Sequence, residues 1–181
     1  MTWSDSPFQN LAERLSMESA PAQCDEIDLQ LLRLLLADAR ATLKSLAEAV
    51  GLSSPAVSER MQRLSNEGVI RGYKADIDWA RFGYSMLVYL SVVIRSNGNR
   101  DEILQELSLV PNVEEVSVVT GSSDLILRIR VTGFDHLKLV IAEHIWSRDD
   151  LEFTETRVAF FSEQATDVEF RRLDYLESLH R

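Results

Sequence analysis

Thr42 to Leu64 reads TLKSLAEAVGLSSPAVSERMQRL, two short stretches of helical apolar periodicity broken at a glycine, and this reading decides the fold. Leu43, Leu46, Ala47 and Val50 recur at helical spacing, Gly51 suits the left-handed turn that ends a helix, and Ser53 or Ser54 can cap the next one. Pro55 falls in the first turn of that second helix, where a missing N–H costs little. With Val57 as reference and about 100° per residue, Met61 and Leu64 lie within roughly 40° of it and form an inward stripe. Pro55, Ala56, Glu59, Gln62, Arg63 and Asn66 then point outward. The pattern is a helix-turn-helix, and an outer face with small residues at its start and Gln and Arg further on suits a DNA major groove. The alternative is a plain helical hairpin with a solvated face, because that face carries few charges.

Upstream, Asp25 is a candidate N-cap and Asp28 an acid in the first turn of a helix whose stripe is Ile27, Leu31, Leu34 and Leu35. Downstream, Asn66-Glu67-Gly68 is a stop, and Val69 to Ala75 reads as a short extended wing leading into a linker. Residues 1–23 are rich in Ser, Asp, Pro and Ala and read as a flexible extension, although Phe8, Leu11, Ala12 and Leu15 have the spacing of a short amphipathic helix. Met17 is an alternative start.

The second half alternates the two periodicities. Tyr84–Arg95, Val113–Thr120, Leu125–Val131 and Leu151–Phe161 read as strands, and Arg100–Leu109 and Phe134–Trp146 as helices, a βαββαβ ferredoxin-like order. The fold class is therefore α+β. The organisation expected is an extension (1–23), a helix-turn-helix domain (24–75), a linker (76–83), a ferredoxin-like domain (84–162) and a C-terminal helical tail (163–181). In the first strand Met86, Val88, Leu90, Val92 and Ile94 would face the helices. The opposite face, with Leu87, Tyr89 and Val93, also reads as largely apolar, and two helices cannot cover both. The economical cover is the same sheet of a second subunit, giving a two-fold dimer.

Composition limits the rest. A chain of 181 residues with 45% hydrophobic and 27% charged content suits two modest globular domains. A net charge of -10 argues against coating nucleic acid or membrane by bulk attraction, but not against a site-specific reader. The single cysteine, Cys24, allows no intrachain disulfide and fits a reducing compartment. No apolar run approaches the roughly 18 residues of a membrane span, and no signal pattern opens the chain, so a cytoplasmic protein is expected. Neither a cofactor nor a metal site is implied.

The order of motifs resembles the Lrp/AsnC family of feast/famine transcription regulators. The resemblance rests on CDEIDLQLLRLLLADARATLKSLAEAVGLSSPAVSERMQRLSNEGVIRGY followed by a βαββαβ, RAM-type domain with VVTGSSD at its central turn. It implies DNA binding, a small-molecule effector that is often an amino acid, and dimers that assemble as far as octamers. It also implies an effector site between adjacent dimers, with Gly121, Ser123 and Asp124 in the turn and Thr154 and Thr156 on the last strand. Ser122 stands where the family frequently has an acid, and Ser65 departs likewise.

Residue chemistry fills in the roles. Arg60 and Arg63 can hold phosphates or read guanine, Gln62 can pair with adenine, and Ser53, Ser54 and Ser58 can donate to phosphates beside Pro55, Ala56 and Glu59. Arg60 lies nearer the core flank, where an ion pair is its alternative, so Arg63 is the base-reading candidate. Arg71 and Lys74 would hold phosphates on an imperfect palindromic operator. At the turn of residues 121–124, backbone N–H groups would take a carboxylate and Asp124 an ammonium, or Asp124 simply caps the turn. A rival enzyme reading, a sirohaem decarboxylase of the same two-domain plan, needs His and Arg on the second ferredoxin strand. That strand reads VEEVSVVTG. His136 and His144 lie on a helix, where a structural role fits better.

Overall fold

The computed structural model describes residues 21–163 and 165–179, which form two compact units. The amphipathic spacing at Phe8 to Leu15 lies outside the described residues. One unit comprises residues 21–76 and 165–179, the other 77–163.

In the first unit three helices run Glu26–Ala37 (α1), Leu43–Val50 (α2) and Ser54–Asn66 (α3). Each starts where a side chain satisfies an orphan N–H. Asp25 and Asp28 form a reciprocal capping box on α1, Thr42 caps α2, and Ser53 caps α3 with Pro55 in its first turn. Gly51 ends α2 at φ +69°, a conformation that disfavours any residue with a Cβ. Leu31, Leu35, Leu46, Ala47 and Val57 are buried together, with Ile27, Leu34, Met61 and Ile70 packed around them.

α1 has a second apolar side. Leu29, Leu32 and Leu36 lie roughly opposite the stripe Ile27, Leu31 and Leu34, so one face of α1 is left over once the three-helix core is made. A terminal helix, Val168–Leu179, packs against α1, with Leu173 buried and Arg33 reaching Asp174 at 2.6 Å and Glu177 at 3.0 Å. The expected extended wing carries no ladder: residues 71–78 have no regular secondary structure, and the only sheet among the described residues is four-stranded and lies in the other unit.

That unit holds strands Met86–Ile94 (β1), Val113–Val118 (β2), Leu125–Val131 (β3) and Leu151–Ala159 (β4), with helices Arg100–Ser108 (α4) and Phe134–His144 (α5). The terminal helix is α6. A short 3₁₀ turn, Trp79–Phe82, precedes β1. The sheet order β2-β3-β1-β4 is antiparallel throughout, with Val92 opposite Leu125 on one side and Thr154 on the other. Val88, Leu90, Val92 and Ile94 are buried against Ile103, Leu104 and Leu107 of α4 and Leu137, Val140 and Ile141 of α5.

The second sheet face departs from the expectation of a largely apolar surface. β1 does place Leu87, Tyr89, Ser91 and Val93 there, but the register sets Arg128 and Arg157 beside Tyr89, and Arg130 beside Leu87. Cross-strand partners share a face, so the flanking strands make it mixed and charged. Glu114, at a bulge in β2, pairs with Arg130 at 2.5 Å and lies 3.2 Å from Arg128 Nε. Arg157 donates to the buried Ser91 hydroxyl at 2.8 Å.

Candidate functional site

α3 presents Pro55, Ser58, Glu59 and Gln62 to solvent, together with Ser53 at its cap, while Ser54 and Ala56 are half-buried. Gln62 is braced by Asn66 at 2.9 Å. The helical spacing put Arg63 on this outer surface; the structure turns it toward α1 instead. Arg63 Nη2 donates to Asp28 Oδ2 at 2.5 Å, and Nη1 lies 3.3 Å from the Gln23 carbonyl and 3.4 Å from Glu67. Arg60 Nη1 donates to Asp25 at 2.7 Å and to Asp28 Oδ1 at 2.9 Å, the ion pair that was its alternative. The physical reason is Asp28, whose carboxylate is 1% exposed and gathers charged donors that would otherwise leave it stranded.

The hydrogen bonds that Arg60 and Arg63 donate to the carboxylates of Asp25 and Asp28 hold both guanidiniums above their usual basicity. Partial burial opposes ionisation of Asp25, but the Asp28 N–H and Arg60 outweigh it and keep that carboxyl below its ordinary range. Burial, with Asp28 nearby, pushes the Cys24 thiol up, away from a reactive thiolate. Sequence reading took Asp28 only as a first-turn acid. The available signal was the pairing of Asp25-x-x-Asp28 with Arg60-x-x-Arg63, since an i, i+3 spacing sets two groups on one helix side. With both helix arginines engaged, Arg71 and Lys74 are the exposed cations just beyond α3.

In the other unit the β2–β3 turn closes with Val119 N–H donating to the Asp124 carbonyl at 3.0 Å and Asp124 N–H to the Val92 carbonyl at 2.9 Å. Gly121 sits at φ +116° with open space where a Cβ would be, so a side chain there strains the backbone rather than crowding a neighbour. Gly121 and Ser122 are exposed, and Ser123 and Asp124 half-buried. Asp124 Oδ2 accepts from Ile94 N–H at 2.8 Å, a bond to the end of β1 rather than to its own turn, and Oδ1 lies 3.5 Å from Arg100. Arg100 was not singled out from sequence; it sits at the start of α4, twenty-four residues before Asp124, beyond the reach of local spacing. Thr154 and Thr156 flank Val92 and Leu90 on β4. β1 separates them from the turn, about 10 Å at two strand spacings, so one chain does not bring the two halves of the expected effector site together.

His136 has structural surroundings. His136 Nε2 is 3.2 Å from Asn112 and Nδ1 3.2 Å from Thr132. β2 carries no basic residue, and among the described residues no cluster of His, Cys, Asp and Glu could hold a metal. No described helix is long and apolar enough to cross a membrane.

Residues 25–71 match the winged helix-turn-helix DNA-binding family model, and residues 87–166 the Lrp/AsnC ligand binding domain. The HTH-type transcriptional regulator FL11 of Pyrococcus horikoshii is 30% identical over 142 residues, covering 78% of this chain and 93% of the relative. AldR of Mycobacterium tuberculosis is 31% identical over 147 residues, 80% of this chain and 82% of that protein. Among solved structures, E. coli AsnC superposes with TM-score 0.76 at 22% identity over 82% of this chain and 99% of its own, a likeness of fold. A feast or famine regulatory protein of M. tuberculosis complexed with L-methionine superposes with TM-score 0.70 at 29% identity, over 78% and 95% of the two chains. Two domains in the same order, each with its matching fold, place this chain in the Lrp/AsnC family of HTH-type transcriptional regulators.

Proposed function

We propose that this chain is a one-component regulator in which α3 enters the major groove of an imperfect palindrome and the 77–163 unit binds an amino acid. The observation that carries the DNA reading is a recognition helix fixed from behind by three ion pairs, from Arg60 and Arg63 to Asp25 and Asp28, while Ser58, Glu59 and Gln62 stay exposed. Gln62 is the base reader, Arg71 and Lys74 take phosphates, and Arg60 and Arg63 position the helix. Gln62→Ala weakens specific binding by about 1–3 kcal/mol and relaxes one base position, whereas Arg71→Ala or Lys74→Ala weakens all sequences alike and flattens the salt dependence. Gel shifts on operator and random DNA at several salt concentrations check this. Equal losses on both DNAs for Gln62→Ala count against base reading there.

The effector reading is supported by the relative solved with L-methionine and by the exposed turn at Gly121 and Ser122. Because Thr154 and Thr156 lie across β1 from the turn, a ligand touching both kinds of residue does so with a second subunit supplying one half. This fits a site between dimers of a larger assembly. Asp124→Asn is the informative variant: it keeps an acceptor for Ile94 N–H yet removes the charge that would meet an ammonium. Its fold is expected to persist while the thermal shift given by an amino acid, RT ln(1 + [L]/Kd), falls away. A full shift in Asp124→Asn places the ammonium elsewhere.

A further inference from the structure

α6 lies outside both family matches, which end at residues 71 and 166, yet it completes the DNA-binding unit. The surface it meets is built for it. α1 reads EIDLQLLRLLLA, and a helix that is apolar on opposite sides needs cover on both. Leu29 is 2% exposed although it belongs to no part of the three-helix core cluster. Leu32 and Leu36 of α1 and Leu173 and Leu176 of α6 line one groove. Between the leucines, the single cation Arg33 is held by two acids one helical turn apart, Asp174 and Glu177, and their hydrogen bonds keep the guanidinium above its usual basicity. An apolar stripe with one cation, facing an apolar stripe with an i, i+3 pair of acids, fixes both the face and the register of docking.

Connectivity gives this contact its consequence. Within the described residues the chain passes between the two units twice, after Asp76 and again after Glu163. The second passage, residues 160–167, spans at most about 28 Å. A short tether of this kind keeps α6 at millimolar effective concentration beside its groove, so a modest interface stays closed. We propose that α6 is a strap: by docking on α1 it gives the DNA-binding unit a second connection to the effector unit, restricting the half-site spacings the assembled protein accepts. The strap also offers a mechanical route from β4, whose end feeds it, to α1 and through Asp28 to α3.

The test separates strapping from mere cover, in full-length protein. Inserting about twelve Gly and Ser residues between Ser162 and Glu163 slackens the strap but leaves α6 able to dock. Arg33→Glu opposes docking, and Arg33→Glu with Asp174→Arg and Glu177→Arg restores it with reversed charges. Each protein is melted and titrated against operators whose half-sites are separated by an added half turn of DNA. Wild type is expected to lose at least thirtyfold in affinity on the altered spacing. The slackened protein should melt as wild type does but lose less than fivefold. Arg33→Glu should melt lower and discriminate poorly, and the reversed pair should recover both properties. A slackened protein that discriminates as sharply as wild type overturns the strap and leaves α6 as a cover only. A wild type indifferent to spacing overturns it as well. The inference rests on DNA binding by α3, whose own failure reads differently: no variant then forms a specific complex at either spacing.

Discussion

Asp28→Ala is expected to lower the melting temperature of the DNA-binding unit by about 10 °C or more. The substitution removes a carboxylate that is 1% exposed and accepts from Arg60 at 2.9 Å, Arg63 at 2.5 Å and the Asp25 N–H at 3.0 Å. Removing the shared acceptor of such a cluster costs about 2–4 kcal/mol, somewhat below the loss for a fully buried pair because both arginines can turn partly to water. For a domain of this size each 1 kcal/mol is worth about 4–8 °C. Asp28→Asn keeps an acceptor but not the charge and should fall between. Specific DNA binding should drop even well below the melting point, since α3 loses the contacts that set its angle on α1. Acid acts on the same cluster. Asp25 has a depressed carboxyl, so its contribution is present above the ordinary carboxylate value of about 3.9 and disappears as pH falls through the lower, folded-state value. Thermal melts followed by circular dichroism between pH 3 and 7 decide both points; a variant that melts within about 2 °C of wild type sinks the anchoring role of Asp28.

If the sheet face that α4 and α5 leave bare pairs with a second copy, Tyr89→Arg is expected to leave the protein monomeric. Tyr89 sits mid-strand on the face that α4 and α5 leave bare, and its cross-strand neighbours are Arg128 and Arg157. A third cation between these two, desolvated by an opposing sheet, costs about 2–5 kcal/mol per interface copy. That is a loss of roughly thirtyfold to several thousandfold in association. Tyr89→Asp is milder, because the same two arginines receive its charge; simple apolar alternation in β1 would have ranked it as severe. Tyr89→Phe and Asn97→Asp serve as neutral controls. Light scattering at micromolar concentration gives the answer, and either a monomeric wild type or an unchanged size for Tyr89→Arg removes the sheet-to-sheet dimer.

Much of this architecture is legible one element at a time. The break at Gly51, the caps at Asp25 and Ser53, and the period-two runs of β1 and β3 are local signals, because capping and periodicity act within a few residues along the chain. Both domain types and their order follow from those signals, while the family rests on the resemblance of the motifs and on the relatives that match. The wing segment Val69 to Ala75 has strand-like residues but forms no ladder, because a ladder needs a partner strand and no described residue supplies one.

What the tertiary structure decided are the pairings across sequence distance. Helical spacing placed Arg63 outside α3, yet its long side chain follows a buried carboxylate thirty-five residues earlier, and no wheel of one helix can register that. The charged character of the second sheet face appeared only when the β1–β3 and β1–β4 registers set Arg128 and Arg157 beside Tyr89. Asp124 could be a ligand or a cap by residue type; its hydrogen bond to Ile94 N–H depends on where β1 ends. The residues at 163–181 read as a helical tail until α6 was seen to cover the second leucine stripe of α1. Sequence by itself determines which segments fold and which faces are apolar, since those are properties of neighbours along the chain. Which apolar face meets which, and which charge is taken out of play, depends on desolvation and register between distant segments, and these exist only in the folded molecule.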